Sequence, residues 1–273
     1  MSACRLGRTV AQASKMPALF DMRVRAQRRD RAARIGAELF LYERAFTDIL
    51  ERVGMISERF ESALLIGCPD PAWPGRLGAI ADRVEVVDSG PLFASAAGGS
   101  VVIEDRIAPR PGAFDLIVSI GTLDTIDDLP AALRTLAASL KPGGVLVGAM
   151  SGGDTLPMLR AAMRSADQLS GEARAHVHPR IAASALVQLL SDCGLAGPVV
   201  DIERVRVTYP SLARLVGDLR AMGATNILCE RPRKPLSRPE YAAACAAFGE
   251  AGDSGGTVET FEILHFRGIA ATH

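Results

Sequence analysis

The chain has 273 residues, of which 48% are hydrophobic and 23% are charged, and its formal net charge at neutral pH is zero. This length suits one α/β domain with additions, and the composition is typical of a soluble globular protein. No apolar run approaches the roughly 20 residues that a membrane-spanning helix needs. Nucleic acid is not an expected partner. The five cysteines are scattered without a C-x-x-C pair, which argues against a disulfide framework and a structural zinc site.

Positive charge is concentrated at the N-terminus, where residues 1–34 carry nine Arg or Lys against Asp21 and Asp30. Two interpretations stay open: a solvated helix face, or a basic arm that docks on an acidic partner or an anionic membrane surface. Residues 1–17 are expected to form a disordered leader, with Met16 as an alternative start.

Three zones follow within the expected domain, 18–273. Helical spacing of apolar residues predicts N-terminal helices over 18–60. Short apolar runs alternate with helical or turn segments over 62–151, which predicts a parallel, doubly covered sheet and a cofactor-binding core. These runs are Ala63–Ile66, Val84–Val87, Val101–Ile103, Phe114–Ile120 and Val145–Met150. Residues 152–260 are expected to add helices and a late strand, Val199–Val207, and 261–270 to form the final strand.

The later helices are predicted from the same periodicity and from their flanking residues. Asp154 is a good N-cap for one of them, and Gly194 ends another. They are Pro130–Leu140, Thr155–Leu169, Ile181–Cys193, Ser211–Met222 and Arg238–Gly249.

The carboxyl ends of the predicted strands carry the candidate binding residues, because ligands of open α/β sheets sit there. These residues are Gly67, Cys68, Asp70, Asp88, Glu104, Asp105, Ser119 and Ile120. A carboxylate in the place of Asp88 commonly accepts hydrogen bonds from ribose hydroxyls, although it can also cap the next helix. Glu104 and Asp105 are placed to meet an adenine edge, or are solvated loop charges.

The loop after the first strand departs from a cofactor loop. Gly67 is followed by Pro69 and Pro71, and proline fixes φ and has no backbone N–H to donate. Cys68, in a tight turn near a helix start, is either a thiol with a lowered pKa or a small buried filler.

Several segments carry a resemblance to a known family. FDLIVSIGTLDTIDDLPAALRTLAASLKPGGVLVGAM (114–150) resembles the fourth strand, helix, K-P-G-G turn and fifth strand of class I S-adenosylmethionine-dependent methyltransferases. Four further segments are similar to the NADH dehydrogenase (complex I) assembly factor and arginine hydroxylase family of mitochondria and alphaproteobacteria. They are LFDMRVRAQRRDRAAR (19–34), GAMSGGDTLPMLR (148–160), HVHP (176–179) and VTYPSLARLVGDLRAMGATN (207–226).

The resemblance implies a doubly wound, seven-stranded Rossmann-like methyltransferase sheet with an antiparallel last strand, N-terminal helices and a helical cap. It implies S-adenosyl-L-methionine as cofactor, a complex I subunit as partner, and a place in the bacterial cytoplasm or the mitochondrial matrix. The chain departs from the family at Leu65, where an acidic residue is usual, at Pro69 and Pro71, and at Asp124-Thr125, where His-Trp is frequent. Three functions follow as alternatives: methyl transfer to a protein or small-molecule acceptor, non-catalytic assembly, or arginine hydroxylation.

Three residues are candidates for the substrate side. Asp154 either orients a substrate or caps its helix, and Tyr209 either lines the mouth of the site or packs in the core. His176 matches the family's histidine and, with His178, forms an H-x-H pair of the kind that can bind iron. Since no third ligand appears at a recognisable spacing, no metal site is predicted.

Overall fold

The computed structural model describes residues 17–56 and 59–272, so all of the expected leader except Pro17 lies outside the described residues. The helices in these segments are Met22–Ile35 (α1), Phe40–Gly54 (α2), Trp73–Leu77 (α3), Pro91–Ala96 (α4), Leu129–Ser139 (α5), Pro157–Ser170 (α6), Ala183–Asp192 (α7), Leu212–Ala221 (α8) and Arg238–Glu250 (α9). The strands are Phe60–Ile66 (β1), Ala81–Asp88 (β2), Ser100–Val101 (β3), Phe114–Ile120 (β4), Leu140–Ser151 (β5), Leu195–Tyr209 (β6) and Thr257–Ala270 (β7).

The strands form one seven-stranded sheet in the order β3-β2-β1-β4-β5-β7-β6. The first five run parallel, whereas β7 inserts antiparallel between β5 and β6. The switch point lies between β1 and β4, since the chain leaves β1 toward β2 and later returns to its other side. The predicted Rossmann-like methyltransferase sheet with an antiparallel last strand is therefore confirmed.

Apolar strand residues alternate between two cores, one on each face of the sheet. Leu65 and Val118 face α2 and α3, and Leu64 and Ile117 face α5 and α7. A third apolar cluster joins α6, α8 and α9 and forms the cap. Among the described residues, no helix combines the length and hydropathy needed to cross a membrane.

The start of α6 differs from the prediction. The helix begins at Pro157, and Leu156, at its N-cap position, adopts a left-handed conformation with φ of 62°. The buried Glu259 carboxylate of β7 accepts hydrogen bonds from the N–H groups of Met158 (3.2 Å) and Leu159 (2.8 Å). The prediction that Asp154 caps this helix was wrong, because a strand 100 residues later supplies the acceptor.

Two strands also differ in length from the sequence prediction. β6 and β7 are longer because they pair antiparallel with each other from Leu195 opposite Ala270 to Tyr209 opposite Thr257. β3 shrinks to two residues, and a 3-10 turn, Glu104–Arg106, follows it. That turn brings Glu104 back beside the end of β2, where it contacts Ser89.

Candidate functional site

The turn after β1 is closed against the end of β4. Gly67 has φ of 82°, and its N–H donates to Val87 O at 2.9 Å. A Cβ at this position would lie 2.5 Å from Ile120 O and 2.6 Å from the Thr122 methyl group. Glycine is therefore required here both by backbone conformation and by close packing.

Asp88, at the end of β2, is fully engaged by groups of the chain itself. Arg29 of α1 holds both carboxylate oxygens, with Nε donating to Oδ1 at 2.6 Å and Nη2 to Oδ2. The N–H groups of Cys68 (2.8 Å) and Gly90 (2.7 Å) donate to the same carboxylate. The side chains of Arg29 and Asp88 are 1% and 0% exposed, so this pair is excluded from water.

Burial and the neighbouring charge shift the pKa values of Asp88 and Arg29 in opposite directions. Burial raises the pKa of Asp88, but Arg29 and the two N–H donors outweigh it, so the pKa lies below its usual value. Burial likewise lowers the pKa of Arg29, and the Asp88 carboxylate more than compensates. Both groups are ionised, and the guanidinium also lies 4.8 Å from the centre of the Phe93 ring.

Glu104 is also bound by α1, through Arg25, which lies one helical turn before Arg29. Arg25 Nε donates to Glu104 Oε1 at 3.2 Å, and Ser89 Oγ donates to the same oxygen at 2.8 Å. Arg25 Nη2 reaches across to Gly121 O at 2.8 Å. Glu104 Oε2 is buried and has no hydrogen-bond partner within the described part of the chain. Asp105 belongs to the same 3-10 turn, and its side chain lies outside the described residues.

The cluster of Arg25, Arg29, Asp88 and Glu104 is called the α1 seal below. The basic N-terminal helix predicted from the sequence is thus only partly a surface. Arg25 and Arg29, four residues apart, share the face of α1 turned to the sheet, whereas Arg23 and Arg34 are exposed. The interpretation of the whole helix as a solvated face or docking arm was wrong for the two buried arginines.

The residues of the crevice do not fit adenosylmethionine with α1 in this position. Both oxygens of Asp88, the expected ribose acceptor, already accept hydrogen bonds from Arg29 and from backbone N–H groups. The helix after β1 has only five residues and starts at Trp73 with Pro74, so it presents few free N–H donors to a ligand.

The remaining candidates of the crevice make local structural contacts. Asp70 Oδ1 accepts from the N–H of Ala72 at 2.8 Å, and Ser119 Oγ lies 2.7 Å from Thr122 Oγ1. Cys68 is buried, with Sγ 3.2 Å from Asp70 O. Burial and the neighbouring Asp88 raise the pKa of its thiol to about 12. The thiol is therefore not activated, and the alternative of a lowered pKa was wrong.

An open cavity adjoins the α1 seal on the side of β5 and β7, and is called the β5 cavity below. It holds about 600 Å³ including its mouth. Its walls are mostly apolar, and among its lining residues Arg180 and Glu262 are charged. Arg180 Nη1 binds Asp124 Oδ2 at 2.7 Å, while Arg180 Nε is buried without a hydrogen-bond partner among the described residues. Ile120 is the predicted site residue that lines this cavity.

A second cavity, of about 360 Å³, lies against the first and shares five lining residues with it: Tyr42, Gly121, Ser151, Arg180 and Ala224. It reaches the α1 seal through Arg25. The OH of Tyr42 donates to Met222 O at 3.1 Å, and its ring packs where a Cβ on Gly121 would stand. No motif marks Tyr42, Arg180 or Glu262 as residues of a site, whereas the spacing of Arg25 and Arg29 is visible within the basic helix.

The three substrate-side candidates are dispersed in the structure. Asp154 is exposed and pairs with Arg204 at 3.2 Å. Tyr209 is buried in the apolar cluster of the cap, edge-on to Phe261. His176 Nε2 lies 2.8 Å from Asp167 Oδ1, and none of these three residues lines either cavity described above.

The two histidines of the H-x-H pair make separate contacts. His178 Nε2 accepts a hydrogen bond from the N–H of Ile227 at 2.9 Å, and burial together with Arg180 lowers its pKa to about 3. It is therefore neutral and ties the chain near α8 to the core. Within residues 17–56 and 59–272, no group of three or more His, Cys, Asp or Glu is arranged to hold a metal ion.

Comparison with known proteins decides the family. Residues 27–197 match the family model described as "Methyltransferase domain". The chain belongs to this methyltransferase family. Within it, the chain is 32% identical over 272 residues to "Arginine-hydroxylase NDUFAF5, mitochondrial" of Rattus norvegicus, covering 92% of this chain and 77% of the relative. The Homo sapiens protein of the same name is 31% identical, with 92% and 76% covered.

Two further matches are a shorter sequence match and a solved structure of similar fold. The "Malonyl-[acyl-carrier protein] O-methyltransferase" of Xylella fastidiosa is 36% identical over 136 residues, which are 50% of this chain and 44% of that protein. The crystal structure of the YcgJ protein of Bacillus subtilis superposes with a TM-score of 0.56 at 13% identity, covering 81% of this chain and 97% of that one. The family predicted from the sequence segments is confirmed.

Proposed function

We propose that this chain assists the assembly of respiratory complex I by binding one of its subunits, without transferring a methyl group. The observation that carries the proposal is the buried pair of Arg29 and Asp88, in which Arg29 engages the carboxylate that the sequence predicts to bind ribose hydroxyls. The link to complex I rests on the four segments that resemble the assembly factor family, and on the relatives that match over 92% of the chain. We expect the protein in the cytoplasm of a bacterium, or in the matrix of a mitochondrion.

The β5 cavity supplies a binding surface that does not depend on the crevice. Apolar walls at the ends of β5 and β7 suit an apolar side chain of a bound polypeptide, since burying such a side chain contributes about 1.5–3 kcal/mol. The unpartnered Nε–H of Arg180 is available to donate a hydrogen bond to a backbone or side-chain oxygen of the same segment.

Arginine hydroxylation is the second candidate, and the name of the rat and human relatives favours it. Methyl transfer is the third, and the family itself supports it. The three functions leave different masses on the partner subunit, so one experiment separates them.

The test deletes the gene in its host and measures assembled complex I together with the intact mass of each subunit. Binding without modification predicts less assembled complex and unchanged subunit masses. Loss of one oxygen atom from a subunit on deletion would establish hydroxylation instead, and loss of one methyl increment would establish methyl transfer.

Complementation with point variants localises the binding surface. Ala224→Trp fills the β5 cavity and is expected to abolish rescue, whereas Ala242→Trp, at an exposed position of α9, is the matched control and should rescue fully. Full rescue by Ala224→Trp would show that the cavity is not the binding site.

A further inference from the structure

We infer that α1 is an exchangeable occupant of the crevice: its docking and the binding of an adenine nucleoside are mutually exclusive. This inference goes beyond the proposed function, which describes the chain with α1 docked. The observations behind it are the composition of the α1 seal, the anchoring of the helix and a buried acceptor that the seal leaves unused.

The α1 seal is polar on both sides. Three residues of α1 are buried, and two of them are Arg25 and Arg29, with Ala32 as the third. A buried ion pair contributes little compared with apolar packing of the same volume, because both charges lose their hydration. The helix is therefore held down by ion pairs that a competing polar ligand can replace, rather than by an apolar face.

The two ends of α1 are held differently, and release of the helix from the sheet involves both. Gly36, directly after the helix, has φ of 92°, and a Cβ there would meet nothing within 4 Å. The other end is fastened to the cap, where the N–H of Asp21 donates to Ile227 O at 2.8 Å and Arg231 pairs with the Asp21 carboxylate at 3.1 Å. Movement about Gly36 together with part of the cap would uncover Asp88 and Glu104.

The crevice under α1 keeps the acceptors that a nucleoside needs. Without Arg29, both oxygens of Asp88 are available to vicinal hydroxyl groups, as charged acceptors form the stronger hydrogen bonds. Glu104 Oε2 is the independent observation: its side chain is 3% exposed, and this oxygen lacks a hydrogen-bond donor among the described residues. An exocyclic amine, such as that of adenine, supplies such a donor.

Calorimetric titration of the full chain with adenosylhomocysteine tests the inference. The wild-type protein is expected to give little heat at sub-millimolar ligand. Arg25→Ala with Arg29→Ala is expected to bind at least tenfold more tightly. The matched control, Arg23→Ala with Arg34→Ala, removes two exposed arginines from the same helix and should behave like the wild type.

A second variant weakens the seal from the opposite side without removing an arginine. A Cβ at Gly90 would lie 2.7 Å from Cβ of Arg29, so Gly90→Ala is expected to loosen α1 and raise nucleoside affinity. If circular dichroism shows that the double alanine variant does not fold, Gly90→Ala still tests the inference. Hydrogen exchange supplies an independent measurement, because bound adenosylhomocysteine should speed the exchange of the backbone amides of residues 22–35.

The outcomes separate this inference from the proposed function. If neither the wild-type chain nor the two folded seal variants give heat of binding, the displacement of α1 by a nucleoside is refuted. Assembly without methyl transfer then still stands. If the wild-type chain binds tightly with exchange in α1 unchanged, both ideas are refuted.

Discussion

Replacing Arg29 by methionine strips the buried Asp88 carboxylate of its charge partner. Removing one member of a buried pair costs about 3–5 kcal/mol, because the remaining charge stays desolvated. The N–H groups of Cys68 and Gly90 still donate to Asp88, so we expect a loss near the lower end, about 3 kcal/mol of unfolding free energy. A domain of ordinary stability, roughly 5–15 kcal/mol, would still be folded.

Urea unfolding followed by the fluorescence of Trp73 measures this loss, since it is the only tryptophan and is fully buried against Phe46. Adding Asp88→Asn to Arg29→Met should recover most of the loss and define the coupling between the two sites. Arg34→Met, at a side chain 65% exposed, is the control and should change stability by no more than about 0.5 kcal/mol. A loss below about 1 kcal/mol for Arg29→Met, or no recovery in the double variant, would refute the reasoning.

The same variant reverses the pH dependence that Asp88 contributes. In the wild-type chain the pKa of Asp88 is held below its usual value, so its contribution is present at neutral pH and is lost as the pH falls through that lowered pKa. Without Arg29, burial is the dominant influence and raises the pKa, so the ionised group destabilises the fold at neutral pH. The deficit of Arg29→Met should therefore begin to shrink as the pH falls through this raised pKa, above about 4, and continue to shrink below it as the wild-type contribution is lost.

Three further expectations concern other parts of the fold. Gly67→Ala should lower the free energy of unfolding by about 1–3 kcal/mol more than Gly98→Ala does, as measured by urea unfolding. Both glycines have positive φ, but an added Cβ clashes only at Gly67. Iodoacetamide at pH 8 should leave Cys68 unlabelled in the native chain and label it in urea, which peptide mass spectrometry detects, since burial raises the pKa of this thiol to about 12. Glu259→Ala should lower stability by about 1–2 kcal/mol through the lost cap of α6, whereas Glu51→Ala at an exposed position should not; equal effects would refute the capping role.

Sequence patterns predicted the sheet well because its signals are local. Phe114–Ile120 is a mostly apolar run and forms β4 with the predicted bounds. Asp88 was found because the end of a buried strand is a position that can be counted along the chain. In both cases the information lies within a few residues of the feature.

The partners of these residues were not predictable, since they come from distant segments. Arg29 is 59 residues from Asp88, and within the basic stretch of 1–34 its pattern does not distinguish it from the exposed Arg34. The prediction of the α6 cap failed for the same reason. Asp154 satisfied every local rule, but Glu259 of β7 accepts the hydrogen bonds at the start of the helix. The β5 cavity is built from six separate stretches of chain, so no short motif carries it.

The position of β7 has a consequence for synthesis. Of the seven described strands this one is synthesised last, yet it lies between β5 and β6 and supplies the acceptor at the start of α6. Until it arrives, β5 has an open edge, and β6 together with its attached cap has no strand to join it to the parallel half. The nascent chain must therefore shield two strand edges that the finished protein hides, a task suited to a chaperone during translation.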